Sequence, residues 1–263
     1  MKTVRNIIMA AAVTLSLSGI AMATPSTQVW IPSPDVKGFG EFNIGIDSYI
    51  RFSPKSDAGT NLYDVGVTAG VLPFKKLKLE IGVDYLTSLK QDDNKADNHP
   101  FYFNAKLGTP EDAFFSGMPS LAVGIYNLGT YDKIEEGLST RQNITYGLVG
   151  KTFPVIGRLS AGGYYGSERA LANNSNIKNQ NSGIMASWDR SMAEISDKLW
   201  LAVDYMSGNN ANGALSVGGS WAFNKNVSLL VGVVTFNPFY KTSGGEAIPG
   251  GKPAFTTQLD ITF

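Results

Sequence analysis

The fold of this chain is decided by the stretch LKLEIGVDY at residues 77–85, in which apolar residues alternate with charged residues or glycine. Successive side chains of a β-strand point to opposite faces, so this alternation is typical of a strand with one apolar and one polar face. The same period of two recurs at residues 44–51, 199–205 and 255–263, whereas no helical period is sustained after residue 23. The sequence therefore predicts an all-β protein built from long strands.

The composition of the 263 residues excludes several classes of protein. Hydrophobic residues make up 43% of the chain, which is enough apolar surface to exclude a disordered protein. The 22 basic residues equal the 22 acidic residues in number, so a nucleic-acid partner is not expected. Cysteine is absent, which excludes a disulfide framework, a thiolate metal site and a cysteine nucleophile.

Residues 1–23 are predicted to be a cleaved secretory signal peptide. Lys2 and Arg5 precede an apolar stretch, and Ala21-Met22-Ala23 supplies the small residues that signal peptidase requires. After this segment no apolar run reaches the ~18 residues that a membrane-spanning helix needs. We therefore expect an exported chain that begins near Thr24.

Twelve segments carry the strand pattern, and most are near the ~9–11 residues of a tilted strand that crosses a bilayer. The connections between them alternate between long and short, as in outer-membrane barrels. The prediction is an antiparallel, up-and-down transmembrane β-barrel of about 12 strands over residues 39–263, or 10 or 14 strands if residues 183–196 are misassigned. Residues 24–38 are expected to form a short segment in the periplasm or in the lumen. The predicted strands are 39–52, 62–72, 76–88, 101–108, 119–128, 142–151, 157–166, 183–190, 197–206, 214–223, 227–236 and 254–263.

On these features the chain resembles the porin-like superfamily of bacterial outer-membrane β-barrels. Phe255, Leu259, Ile261 and Phe263 form an alternating C-terminal strand, which in that superfamily resembles the signal read by the barrel-assembly machinery. The resemblance implies an outer-membrane location, with the lipid bilayer and that machinery as partners. Twelve-stranded relatives include nucleoside channels, acidic-oligosaccharide channels, a phospholipase and a lipid A deacylase. No motif in this sequence selects one of them.

Charged residues at alternate positions are expected to face the barrel interior, because a Lys or Arg facing mid-bilayer lipid costs about 2–4 kcal/mol. The inward set holds eight acidic and six basic residues. Many glycines, alanines and serines share this face, which favours a water-filled lumen over one closed by salt bridges. The lumen-lining candidates are Asp47, Arg51, Lys78, Glu80, Asp84, Lys106, Lys151, Arg158 and Asp204.

Few residues are candidates for enzymatic chemistry. His99 is the single histidine and follows Asp92, Asp93 and Asp97, an arrangement that resembles some outer-membrane surface proteases. A lone motif of this kind is weak, and a solvated loop is the better interpretation. Residues 92–98 lack the glycine that an EF-hand loop needs at its sixth position. The sequence therefore predicts no catalytic, metal-binding or cofactor-binding residues, and no cofactor.

These observations predict a passive channel for small hydrophilic solutes, filtered by lumen width and wall charge. Two alternatives are a non-conducting barrel whose external loops, 167–182 and 237–253, bind a partner or ligand, and an outer-membrane enzyme. A secreted β-sandwich fits the strand lengths and loop alternation less well. Because inward acidic and basic residues nearly cancel, only a slight ion preference is expected. The sequence leaves the oligomeric state open.

Overall fold

The computed structural model describes residues 26–55, 58–88, 98–133, 138–171, 181–239 and 248–263. The predicted signal peptide and the three aspartates before His99 lie outside these residues. Twelve of the described strands close into one barrel, and two short ones form a separate hairpin. The strands are β1 (Phe42–Arg51), β2 (Leu62–Gly70), β3 (Lys78–Ser88), β4 (Phe101–Thr109), β5 (Ser120–Gly129), β6 (Asp132–Lys133), β7 (Leu138–Ser139), β8 (Ile144–Phe153), β9 (Gly157–Tyr165), β10 (Ser182–Ser191), β11 (Leu199–Met206), β12 (Ala214–Ala222), β13 (Val227–Phe236) and β14 (Ala254–Thr262).

The barrel is antiparallel throughout and closes where β1 pairs with β14, in a register that runs from Asn43↔Thr262 to Arg51↔Ala254. β5 pairs directly with β8, so the hairpin β6–β7 is not part of the wall. The predicted all-β, up-and-down barrel of 12 strands is confirmed. Each of the twelve predicted segments contains one barrel strand, with boundaries that differ by at most a few residues.

Side chains alternate between the lumen and the outer surface. On β11, for example, Trp200, Ala202, Asp204 and Met206 are buried, while the residues between them are partly exposed. Large apolar side chains cover the outer surface of strands all around the barrel. They include Ile46, Val65, Ile81, Leu107, Val123, Val149, Leu159, Ile184, Val217, Val231 and Phe255.

The two ends of the barrel differ. We call the end where β1 begins the turn end, because the connections there include the short turns 154–156 and 223–226. The opposite end, where β1 finishes, is the loop end. One helical turn, Glu168–Leu171, lies at the loop end. Within the described residues no helix has the length and apolar character needed to cross a membrane.

Candidate functional site

Residues 26–38, which we call the N-terminal segment, lie inside the barrel. From Ser26, which lies beside Glu80 and Lys106 near the turn end, the chain runs into the lumen, reverses through a tight turn, and returns to β1. The turn is closed by a hydrogen bond from the Gln28 amide to the Ile31 carbonyl at 2.7 Å and by an isolated bridge between Thr27 and Pro32. Val29 and Ile31 are each only 1% exposed. Of the two locations that the sequence left open, the structure therefore shows the lumen.

The N-terminal segment packs against inward apolar side chains on β8–β13, which we call the covered wall. Val29 belongs to a buried cluster with Leu230, Val234 and Phe236. Ile31 belongs to a second cluster that includes Ile144, Tyr146, Leu148 and Met185. Burial of such side chains contributes roughly 1.5–3 kcal/mol each, so apolar packing is a main reason why the segment stays inside.

Small inward residues give the N-terminal segment its room. A Cβ added at Gly218 would lie 2.9 Å from Cγ2 of Val29, and a Cβ added at Gly150 would lie 2.7 Å from Cγ of Pro34. Any larger side chain would collide with the segment. The small residues that favoured a water-filled lumen therefore accommodate protein along the covered wall.

Polar side chains fix the turn of the segment. One carboxylate oxygen of Asp204, Oδ2, accepts hydrogen bonds from the backbone amides of Val29 at 2.7 Å and Trp30 at 2.9 Å. On the other side, Nε2 of Gln258 donates to the carbonyl of Val29 at 2.7 Å. The indole Nε1 of Trp30 donates to the carbonyl of Asn212 at 2.9 Å. Every one of these groups faces the lumen, so the wall determines the conformation of the turn.

Two charged networks hold the rest of the segment toward the turn end. Lys106 forms an ion pair with Glu80 at 3.1 Å and donates to the carbonyls of Ser26 and Asp35, each at 2.7 Å. Arg158 bridges Asp35 at 2.6 Å and Asp189 at 2.9 Å. Buried charges are tolerated when they are paired and hydrogen-bonded in this way. Lys106 and Arg158 therefore bind the N-terminal segment to the barrel wall.

The space that the segment leaves free is a cavity of about 220 Å³ against β1–β4, which we call the open wall. Five carboxylates and one ammonium group line it, so we call it the acidic cavity. No Lys or Arg of the described ranges forms an ion pair with any of its carboxylates other than Glu80. The charged lining residues are Asp47, Asp64, Glu80, Asp84, Asp260 and Lys106.

The acidic cavity extends along most of the barrel. Its lining on β1 runs from Asn43, the second residue of the strand, to Tyr49, the eighth of ten. At about 3.3 Å per residue these positions are about 20 Å apart along the strand. Amide side chains support two of the carboxylates: Asn104 donates to Asp84 at 2.8 Å and Asn43 donates to Asp260 at 3.0 Å. The cavity is therefore a long space whose charged groups are mostly of one sign.

The lumen-lining candidates predicted from the sequence occupy different parts of the barrel. Asp47 and Asp84 line the acidic cavity, together with Glu80 and Lys106 at its turn end. Arg158 and Asp204 face inward but contact the N-terminal segment. Two more lie outside the cavity lining.

Those two candidates lie at opposite ends of the lumen face. Arg51, at the loop end, donates to the carbonyls of Thr60 and Lys252 and lies 4.5 Å from the ring centre of Phe236. Lys78 is the first residue of β3 and pairs with Gly108 at the turn end. Both side chains therefore border the ends of the lumen.

The inward placement of Lys151 was wrong. On β8 the buried, inward residues are Ile144, Tyr146, Leu148 and Gly150, and Lys151 pairs with the outward Leu159. Its ammonium group lies at the turn end, 2.9 Å from Glu111. The prediction assumed that apolar residues of a strand face outward. That assumption fails on β8, because its apolar residues meet Ile31 inside the barrel.

Several residues of the site were not predicted from the sequence, notably Gln28, Asp35 and Gln258. The sequence carried a signal for the inserted segment, though not for these three polar residues. β13 contains SLLVGVV at residues 228–234, which is apolar on both faces and so needs an apolar partner inside the barrel. Val29 and Trp30 are that partner.

His99 lies at the loop end, just before β4. Its ring is partly exposed and stacks on Tyr131, with ring centres 4.2 Å apart. Nearby, the guanidinium of Arg169 lies 2.9 Å from Asp132 and lowers the pKa of that carboxyl below its usual value. Within the described residues no group of three or more His, Asp or Glu side chains is arranged to hold a metal ion.

The four residues of the predicted assembly signal lie on the outer surface. Phe255, Leu259 and Ile261 occupy the outward positions of β14, and Phe263 is 67% exposed. Phe263 exchanges backbone hydrogen bonds with Phe42 of β1, at 2.8 and 3.3 Å. Their position on the seam between first and last strands is compatible with the predicted role, which stays a prediction.

Comparison with known proteins adds similarities of fold. No protein-family model matches the chain, and no curated protein matches its sequence. Among solved structures, the chain is similar to OmpF of Salmonella typhi in complex with daunomycin, at 10% identity and a TM-score of 0.41, over 85% of this chain and 96% of that one. It is also similar to the Salmonella typhi outer membrane phospholipase dimer with bound calcium, at 13% identity and a TM-score of 0.44, over 84% and 90%. The chain is similar as well to outer membrane phospholipase A of Escherichia coli, at 12% identity and a TM-score of 0.43, over 84% of this chain and 92% of that one.

Proposed function

We propose that this protein is an outer-membrane β-barrel that acts as a passive channel for small hydrophilic solutes and prefers cations. The path is the acidic cavity between the N-terminal segment and the open wall. The observation that carries the proposal is the charge of this cavity: five carboxylates against one ammonium group, which is itself paired with Glu80. A cation in the cavity is attracted by the remaining carboxylates, whereas an anion is repelled.

This proposal revises the ion preference expected from the sequence. That expectation counted all inward charges as equal contributors, so they nearly cancelled. In the structure Arg158 is paired on the covered wall, and Lys151 faces outward. These two basic residues therefore do not balance the carboxylates along the path.

The outer surface supports the membrane location. Soluble monomers rarely expose apolar patches larger than a few hundred Å². Here large apolar side chains are exposed around the barrel, with Val123 at 58%, Ile184 at 59% and Val217 at 53%. We expect the protein to fractionate with the outer membrane and to migrate differently on gels before and after boiling. Recovery as a soluble monomer without detergent would contradict the location.

The channel proposal is tested by current through single molecules in a planar bilayer. We expect discrete conductance steps and a reversal potential on the cation-selective side in a salt gradient. The double variant Asp47→Asn, Asp84→Asn removes two charges at nearly constant volume and should lower this preference. Lys151→Gln is the matched control, because Lys151 lies outside the lumen, and it should leave selectivity unchanged.

A second candidate is the non-conducting barrel that presents its loops to a partner. It is favoured by one observation, the filling of the covered wall by the N-terminal segment. The same recordings decide between the two candidates. If single molecules carry no current over a range of voltages, the channel proposal fails and the second candidate replaces it.

For His99 we propose a packing role at the loop end, supported by its stacking on Tyr131. His99→Ala should then change neither conductance nor selectivity.

For Phe263 we propose the assembly role that the resemblance implies. Phe263→Ala should reduce the amount of barrel inserted in cells more than it reduces refolding of purified chain into detergent. Equal losses in the two settings would indicate that Phe263 contributes packing alone.

A further inference from the structure

The N-terminal segment is held in the barrel without backbone pairing to the strands. Among the described residues, none of its backbone groups forms a backbone hydrogen bond with a barrel strand; its backbone bonds are internal, such as Gln28 to Ile31 and Ser33 to Ser26. Side chains and packing alone hold it. The segment can therefore leave the lumen without breaking any hydrogen bond of the closed sheet.

The polar contacts of the turn converge on one carboxylate. Asp204 is 1% exposed, and its Oδ2 accepts both the Val29 and the Trp30 amides. Two adjacent amides bound to one oxygen hold the turn in a fixed orientation. Gln258, from β14, holds the carbonyl of Val29 at the same turn. No other side chain contacts two consecutive backbone amides of the segment within the described ranges.

The segment stays attached to the barrel when its turn is released. It continues through Gly38 and Gly40 into β1, and Gly40 has a φ of +80°, a conformation that favours glycine. This short link lies at the turn end. Released residues would thus remain near that opening, from which they could return.

We propose that the N-terminal segment is a displaceable plug and that Asp204 is the latch that holds it in the lumen. With the latch closed, the covered wall is sealed and only the acidic cavity is open. With the latch released, the apolar residues of the covered wall become accessible to water and the lumen widens. This inference goes beyond the proposed channel, because the position of the plug can be measured without any ion flow.

The absence of cysteine from the chain makes the plug position measurable. Ala202 is 1% exposed and lies in the buried cluster with Val29, so Ala202→Cys places a thiol beneath the plug with little change in volume. Gly45 lines the acidic cavity, and a Cβ added there meets no atom within 4 Å. Gly45→Cys is therefore the matched reporter on the open wall. Both thiols are labelled with a small charged maleimide in detergent-solubilised, folded protein.

In the otherwise unchanged chain, the thiol at position 202 should react much more slowly than the thiol at position 45. Asp204→Ala removes the acceptor of two amides and leaves both without a partner in the closed position, so it should accelerate labelling at position 202 by at least about tenfold. Asp204→Asn keeps an acceptor oxygen without the charge and should give an intermediate rate. Labelling at position 45 should be the same in all three backgrounds.

Folding is checked by heat-dependent gel migration, and Gln258→Ala is the substitute variant if Asp204→Ala does not fold. Its increase in labelling at position 202 should be smaller, because it releases a carbonyl while both amides stay on Asp204. Equal labelling at position 202 with and without the Asp204 substitutions would overturn the latch. Faster labelling at position 202 without any current in bilayers would support the latch and contradict the channel.

Discussion

The covered wall and the open wall belong to one barrel but differ in the side chains that face the lumen. On the covered wall apolar and small inward side chains contact the N-terminal segment, and the charged Arg158 and Asp204 form hydrogen bonds with it. On the open wall carboxylates and amides lie among small, apolar and aromatic side chains around a cavity. The outward faces of the two walls are alike, because both expose large apolar residues. The inward face of a strand therefore reports what lies inside the barrel beside it, which is protein on one side and solvent-accessible space on the other.

The largest expected effect comes from deleting the N-terminal segment, because the two walls then both face solvent-accessible space. Deletion of residues 26–38 leaves the sheet intact, since no backbone hydrogen bond joins the segment to a strand within the described ranges. It also opens the space that the segment fills. We expect single-channel conductance to rise severalfold and cation preference to fall, because a wider path places ions farther from the carboxylates. Unchanged conductance in a folded deletion variant would mean that the segment does not limit the path.

The next effect concerns the ion pairs that hold the segment. Arg158→Met leaves the carboxylates of Asp35 and Asp189 without their partner. Removing one member of a buried ion pair costs 3–5 kcal/mol, and we expect about 3 kcal/mol here because the Asp35 side chain is partly exposed. The free energy of unfolding is measured by urea titration in detergent, followed by tryptophan fluorescence.

Arg169→Met is the control for that measurement. Arg169 also pairs with an aspartate, Asp132, but at the exposed loop end. Exposed pairs contribute little, so the unfolding midpoint should not change measurably. Equal destabilisation by the two substitutions would show that the Arg158 pairs are no more important than a surface contact.

The same substitution, glycine to leucine, can be made at one position on each wall, so that only the surroundings of the new side chain differ. Gly218→Leu adds a side chain where Val29 already lies 2.9 Å from the would-be Cβ, and overpacking of this kind costs about 1–3 kcal/mol. Gly45→Leu adds the same side chain where nothing lies within 4 Å. We expect Gly218→Leu to lower stability and to release the segment. Gly45→Leu should instead narrow the acidic cavity and lower conductance at unchanged stability. The reverse assignment would contradict the division into a covered and an open wall.

The sequence was sufficient to predict the twelve strands, because the outward face of a barrel strand has the same apolar environment everywhere. It was not sufficient for the lumen, where the environment changes from wall to wall. Asp47 and Asp84 line the acidic cavity on β1 and β3, the strands where charge and alternation agree. Lys151 was misplaced because the apolar residues of β8 face a segment that is more than a hundred positions earlier in the sequence. A period-two pattern divides the residues of a strand between two faces, but only the tertiary structure shows which face lies in the lumen and whether protein or solvent-accessible space is beside it.

The smallest expected effect tests whether the acidic cavity or its mouth determines selectivity. Lys78 lies on the lumen face at the turn end, outside the cavity lining, although the sequence predicted it to line the lumen with Asp47 and Asp84. Lys78→Glu reverses one charge at a partly exposed position, where salt screens it over about 10 Å at 0.1 M. Cation preference should therefore rise only slightly, and only at low salt. The double variant Asp47→Asn, Asp84→Asn removes two charges inside the cavity and should shift the reversal potential more, and at higher salt as well. If the Lys78 substitution produced the larger shift, the mouth would be the selective element, and the carboxylates of the open wall would have a structural role instead.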